Sequence, residues 1–260
     1  LQNRFGNIMI KTTNPKDINF KSLFQLDDKV IVITGHKGLL GRAFSEACEQ
    51  FGATVVGYDL PENDITDKQD ILNFKNEIIE KYGKIDGLVN CHWSKPDGFF
   101  DTVEDYTEET WDEVMGCNLK GTFMMCKIIG NGMIETGGGN IVNIASTYSV
   151  VAPNHKIYDG IEQPLKSPAS YAASKGGVMA LSNYLSTYWV GKNMRVNMIT
   201  PHGVWNNHEK TFEDNFSELS PMKRLSYNYE VAGALVYLLS DASSYVTGHN
   251  LIVDGGWTAW

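Results

Sequence analysis

The chain has 260 residues, 42% of them hydrophobic, and a formal net charge of -9. That length supports a full core in one globular unit. The acidic balance argues against a nucleic-acid partner, whose binders gather basic residues on one face, so any phosphate must be gripped locally. Cys48, Cys91, Cys117 and Cys126 lack the C-x-x-C spacing of a zinc site or redox pair, and no disulfide framework or metal is expected. No apolar run reaches the roughly 18 residues that span a bilayer, and the first thirty residues lack a secretory signal's basic start and apolar centre. A cytoplasmic protein without membrane attachment is the expectation.

Met9 is a candidate initiator, which would make residues 1–8 upstream sequence, and residues 1–26 read as a polar N-terminal extension to a single domain over 27–260. From Lys29 onward, short apolar runs alternate with helical patterns. The runs are Lys29 to Thr34, Ala53 to Tyr58, Ile85 to Asn90, Asn140 to Ala145, Arg195 to Ile199 and Asn250 to Val253. Helices are predicted near 39–51, 67–82, 107–130, 171–190 and 228–240, the last with Glu230 in its first turn. This rhythm predicts an α/β fold, a doubly wound parallel sheet with helices on both faces. Two stretches fit no regular element, Ala152 to Ser170 and His202 to Pro221, and they read as substrate-loop insertions near 150–170 and 202–221.

The first run ends in Thr34-Gly35-His36-Lys37-Gly38-Leu39-Leu40-Gly41, followed at once by a helix pattern. Glycines there permit a tight turn and let backbone N–H groups approach a pyrophosphate, although an ordinary glycine-rich turn shares the pattern. Asp59 closes the second run, where a carboxylate can accept bonds from the adenosine ribose and repel a 2′-phosphate. NAD is therefore the expected cofactor, with NADP the alternative that Lys37, a cation inside the turn, leaves open. Tyr171 and Lys175 stand one helical turn apart, so both side chains leave one face and an ammonium can lower a phenol's pKa. Such pairs also arise by chance on surface helices.

Taken together, the glycine turn at 34–41, Asn90, Asn118 in Asn-Leu-Lys-Gly-Thr-Phe, Ser146 ending Ile-Val-Asn-Ile-Ala-Ser, and Tyr171 to Lys175 resemble the short-chain dehydrogenase/reductase family. The tail, Asp241-Ala-Ser-Ser-Tyr-Val-Thr-Gly-His-Asn-Leu-Ile-Val-Asp-Gly-Gly-Trp, strengthens the resemblance, which covers roughly residues 27 to 258. It implies a Rossmann-type fold and a catalytic set of Asn118, Ser146, Tyr171 and Lys175. Tyr171 would move the hydroxyl proton while Ser146 bonds the same oxygen. Lys175 would lower the tyrosine pKa and bond the nicotinamide ribose, and Asn118 would hold a water in a proton relay. Gly35, Lys37, Gly38, Leu39, Leu40, Gly41, Asp59, Asp64, Ile65, Asn90, Tyr171, Lys175, Pro201 and Val204 would line the cofactor. A homodimer or homotetramer is implied, formed through the helices corresponding to 107–130 and 171–190, with Trp257 to Trp260 covering a neighbouring site.

The sequence departs from the family in three places. The glycine spacing Gly-x-x-Gly-x-x-Gly is that of the longer, sugar-nucleotide-modifying branch. Asn90-Cys91-His92-Trp93 replaces the usual Asn-Ala-Gly, with His92 reading as a packed loop residue ahead of the alternative, a pocket hydrogen bonder. Pro201-His202-Gly203 replaces Pro-Gly, with Asn206 where a threonine is usual. Between Ser146 and Tyr171 lie about a dozen more residues than the family usually has, among them Asn154, His155, Lys156, Tyr158, Asp159 and Glu162. Polar groups over the site suit a hydroxyl-rich substrate, a sugar or sugar phosphate. Trp93, Ser146, His155, Tyr158, His202 and Trp205 are the candidate substrate contacts. The insertion is similar to that of oxidoreductases of flagellin modification and surface-glycan biosynthesis. Two other functions compete: a nucleotide-sugar dehydratase or epimerase with tightly bound NAD, and a non-catalytic NAD(H)-sensing module. Against the latter, both tyrosine and lysine are kept.

Overall fold

The computed structural model describes residues 14–161 and 166–260; the readings made for residues 1–13 and for Glu162 lie outside them. Six strands form one parallel sheet: β1 (Val30–Thr34), β2 (Thr54–Tyr58), β3 (Gly87–Asn90), β4 (Gly139–Ile144), β5 (Met194–Pro201) and β6 (Asn250–Val253), in the order β2-β1-β3-β4-β5-β6. All six predicted runs are strands. Their apolar residues divide by alternation: Val30 and Val32 face one layer of helices while Ile31 and Ile33 face the other. Because both faces are covered, the runs read as continuously apolar.

On one face lie α2 (Lys68–Tyr82), α4 (Thr122–Glu135) and α5 (Ala169–Tyr188), which place Phe74, Ile129, Met133 and Leu185 against Leu88, Ile141 and Val196. On the other, α1 (Leu39–Gln50) and α7 (Asn228–Leu239) place Phe44, Leu235 and Leu239 against Ile31, Val89 and Val142. Each such side chain taken fully out of water contributes about 1.5–3 kcal/mol. The start of α2 shows the local logic: Asp67 caps it, its carboxylate accepting from the N–H groups of Gln69 (2.7 Å) and Asp70 (3.4 Å).

Polar side chains also tie the layers inside the core. The Asn90 amide donates to Asn143 Oδ1 (2.7 Å), and the Asn143 amide donates to Ser182 Oγ on α5 (2.8 Å).

Two predicted elements are corrected. The helix expected over 107–130 is α3 (Glu108–Met115), one π turn (Gly116–Gly121) and then α4, so the path swells where Asn118 sits. The stretch 202–221 contains α6 (Lys210–Leu219), whose apolar residues Phe212, Phe216 and Leu219 recur at helical spacing and pack beneath the preceding loop. Together with Ile157, Leu225 and Trp257 they form a small separate core.

Candidate active site

Strand order reverses direction at β1, whose neighbours are β2 and β3, and the carboxyl ends of these strands open a crevice. There the chain turns at Gly35 (φ 64°) into α1. A Cβ at Gly41 would lie 2.1 Å from the Gly35 carbonyl oxygen, so this turn closes only with glycine. Gly38 is the N-cap and offers no side chain, leaving the first N–H groups of α1 available to an anion. Asp59 stands at the end of β2, its Oδ2 accepting from the Lys37 N–H (2.9 Å). The Lys37 ammonium donates to Leu60 O (3.0 Å) and pairs with Glu62. A narrow glycine turn, an uncapped helix start and a carboxylate beside them fit a dinucleotide.

Elsewhere around the expected cofactor the side chains are engaged within the fold. Asn90 is turned into the core, as above. The Asp64 carboxylate accepts from Thr66 N and Oγ1 (2.8 and 2.7 Å), and Ile65 packs over Gly121. Pro201 ends β5, and Val204 bridges to Ser226. His92 is packed, its nitrogens 2.6 Å from Thr34 Oγ1 and 3.3 Å from Thr122 Oγ1, and burial pushes it down to about 3.

The structure brings Ser146, Tyr171, Lys175 and Asn118 together. Ser146 follows β4, its Oγ accepts from the Tyr148 N–H (3.2 Å), and its hydroxyl favours the ionised form of Tyr171. Lys175 Nζ lies 5.7 Å from the Tyr171 ring centroid and donates to Ile144 O (2.7 Å). Asn118 accepts from Ser94 N (2.9 Å) and donates to Ser174 Oγ (3.1 Å), bracing α5 against the loop after β3. The expected lowering of the tyrosine by Lys175 is not found. Desolvation pushes Tyr171 up to about 12, against the effect of Ser146, and brings Lys175 down to about 8.

Around Tyr171 stand Trp93 and Phe99 (ring centroids 6.1 Å) and Tyr148 (6.3 Å), all edge-on. Ser167 Oγ donates to the Tyr148 hydroxyl (3.4 Å), and its N–H donates to His155 Nδ1 (3.4 Å). Tyr158 sits between Phe100 (6.4 Å) and Phe212 (5.8 Å). Trp93, Ser146, Tyr158 and, through Ser167, His155 thus belong to one cover. Two other candidates point elsewhere. Trp205 donates its indole N–H to Glu213 (2.7 Å) on α6. His202 lies beneath the cover, 2.5 Å from Thr147 Oγ1 and packed at a tilt against Trp257 (4.2 Å) and Phe216 (4.9 Å), its pKa pushed down to about 4 by burial.

Trp257 is buried within its own chain, which corrects the expectation that it covers a neighbouring site; Trp260 is exposed. Sequence reasoning missed Phe99, Tyr148 and Ser167. Tyr148 stands two residues after Ser146, and the Phe99-Phe100 doublet follows the third strand; both were visible signals. Among the described residues no cluster of potential ligands could hold a metal, and no helix is long and apolar enough to cross a membrane.

Comparison with known proteins agrees with this geometry. The family described as enoyl-(acyl carrier protein) reductase matches residues 22–258. An NAD-dependent glycerol dehydrogenase of Listeria innocua is 36% identical, with 92% of this chain and 97% of that protein covered. A D-threitol dehydrogenase of Mycolicibacterium smegmatis is 30% identical, covering 95% and 99%. The crystal structure of a short chain dehydrogenase from Leptospira borgpetersenii with bound NAD+ superposes with a TM-score of 0.83 at 31% identity, covering 93% and 96%. With the glycine turn, the reversed strand order and the gathered serine, tyrosine and lysine, these matches establish that the chain belongs to the short-chain dehydrogenase/reductase family and is an NAD(P)-dependent oxidoreductase.

Proposed function

We propose that the protein is an NAD-linked dehydrogenase that interconverts a secondary alcohol and a ketone on a small polyol or sugar-like substrate. The observation that carries this reading is the cover over Tyr171, in which the hydroxyls of Ser146, Tyr148 and Ser167 lie among the rings of Trp93 and Phe99. Rings pack against a carbon skeleton while hydroxyls exchange bonds with its oxygens. The names of the glycerol and threitol relatives point to the same class. The reacting oxygen would sit between Tyr171 and Ser146. The tyrosine moves its proton, the serine hydrogen-bonds the same oxygen, and Lys175, held by Ile144 O, stabilises the phenolate. Bound NAD supplies or accepts the hydride. Asn118 fixes the lysine-bearing helix.

Following nicotinamide absorbance with glycerol, tetritols, hexitols and sugar phosphates tests this. Turnover of a polyol that disappears in Tyr171→Phe is the expected result; turnover unchanged in that variant overturns the mechanism. The glycine spacing favours a second reading, a dehydratase or epimerase that recycles its cofactor. It requires protein purified with tight NAD and turnover without net NADH. A flagellin or surface-glycan setting has less support, since the relatives of higher identity are named for polyols. We also take the enzyme to be a cytoplasmic homo-oligomer: its four thiols are free, and the exposed, stacked Tyr184 and Tyr188 offer an apolar face on α5.

A further inference from the structure

Lys37 occupies an unusual place. Its N–H is bound to Asp59 Oδ2 (2.9 Å), so the residue is anchored beside the carboxylate that would read the adenosine ribose. A phosphate on the ribose 2′-oxygen would be delivered to this corner, and a free ammonium here would be its natural partner. That ammonium is engaged instead with the segment that follows Asp59: it donates to Leu60 O (3.0 Å) and pairs with Glu62. Asp59, Lys37 and Glu62 together leave the corner with one net negative charge, and the His36 imidazole, 3.9 Å from Asp59 Oδ2, faces the same carboxylate.

We infer that Glu62 is a specificity-determining residue: by occupying Lys37 it withholds from NADP a cation that the glycine turn otherwise presents, so that preference for NAD rests on the Lys37–Glu62 pair as well as on Asp59. The inference rests on the reading of residues 34–41 and Asp59 as the nucleotide site. It differs from repulsion by Asp59 alone in one respect. Neutralising Glu62 turns Lys37 from a spectator into a ligand, so the effect of Glu62 must depend on Lys37 being present.

Calorimetric titration of adenosine 2′,5′-bisphosphate and 5′-AMP into wild type, Glu62→Gln, Lys37→Met and the double variant tests that dependence. Both side chains are largely exposed, at 42% and 65%, so the fold is not at stake. Glu62→Gln is expected to tighten the bisphosphate by roughly fivefold to tenfold at low salt while leaving 5′-AMP unchanged, and Lys37→Met is expected to erase the gain. No gain in Glu62→Gln overturns the inference. So does a gain that persists in the double variant, because simple relief of repulsion would then explain it. Failure of 5′-AMP to bind wild type overturns the nucleotide-site reading and this inference with it, whereas 5′-AMP binding without the expected gain overturns the inference alone.

Discussion

Burial moves the two reactive groups of α5 in opposite senses. The phenol of Tyr171 rises to about 12 and the ammonium of Lys175 falls to about 8, because desolvation penalises the charged form of each. Tyr171→Phe removes the proton donor without disturbing the glycine turn. Activity is expected to fall by about a hundredfold to ten-thousandfold with nucleotide affinity unchanged, as single-turnover rates and titration would show. His202 gives a separate test at this scale. Its folded pKa of about 4 lies below the ordinary imidazole value of 6.5, so the unfolded chain binds the extra proton between those limits. Stability is therefore lost as pH falls from 6.5 towards 4, with a slope of up to about 1.4 kcal/mol per pH unit from this residue. His202→Phe, placed against Trp257 and Phe216, should flatten that part of the denaturation profile; an unchanged slope would show that His202 does not titrate as described.

Among the elements, α6 is the one that turns a polar loop into a lid with its own core. Phe216 is buried against Trp257 (5.0 Å) and His202, and Asn215 donates to Asp159 O (2.7 Å) in the facing loop. Phe216→Ala should cost about 3–5 kcal/mol in the cover while leaving the sheet intact. Limited proteolysis within 202–221 and a KM raised more than kcat is lowered are the expected signs. Gly203 serves the same junction: its φ is 39° and a Cβ would lie 2.0 Å from the Phe216 ring, so Gly203→Ala should reproduce that pattern.

The strands were legible because Val, Ile and Leu recur in short runs such as Val30–Thr34 that are buried on both faces, a local property of sequence. The α6 stripe was also present in Phe212, Phe216 and Leu219, but the helix lacks a side-chain cap and follows a polar stretch, so its start carried no signal. The π turn at Asn118 is set by packing against Ser94 and Ser174, residues 24 and 56 positions away, which a linear reading does not join. The proposed catalytic residues were readable as types at fixed spacings. Trp93 and Tyr158 were readable as candidates, but their gathering with Phe99 and Tyr148 around Tyr171 was not, because Trp93, Phe99, Tyr148 and Tyr171 come from three separate segments.

For the molecule as a whole, α5 carries Tyr171 and Lys175 near its start and an exposed pair of stacked tyrosines further along. Tyr184 and Tyr188 stack at 5.5 Å, 61% and 60% exposed, while Trp189 next to them is buried. If this face joins two copies, Tyr184→Glu should lower the mass measured by light scattering and reduce thermal stability at dilute protein; an unchanged mass places the interface elsewhere.

The bonds from Asn90 to Asn143 and on to Ser182 run from the third strand to the helix that carries Tyr171 and Lys175. They act as a gauge rod. Sliding α5 along the sheet would strand buried amides, so the span between the glycine-turn crevice and the Tyr171 phenol is held to a single setting. New substrates must then be accommodated by exchanging the cover, with the ruler beneath it left uncut.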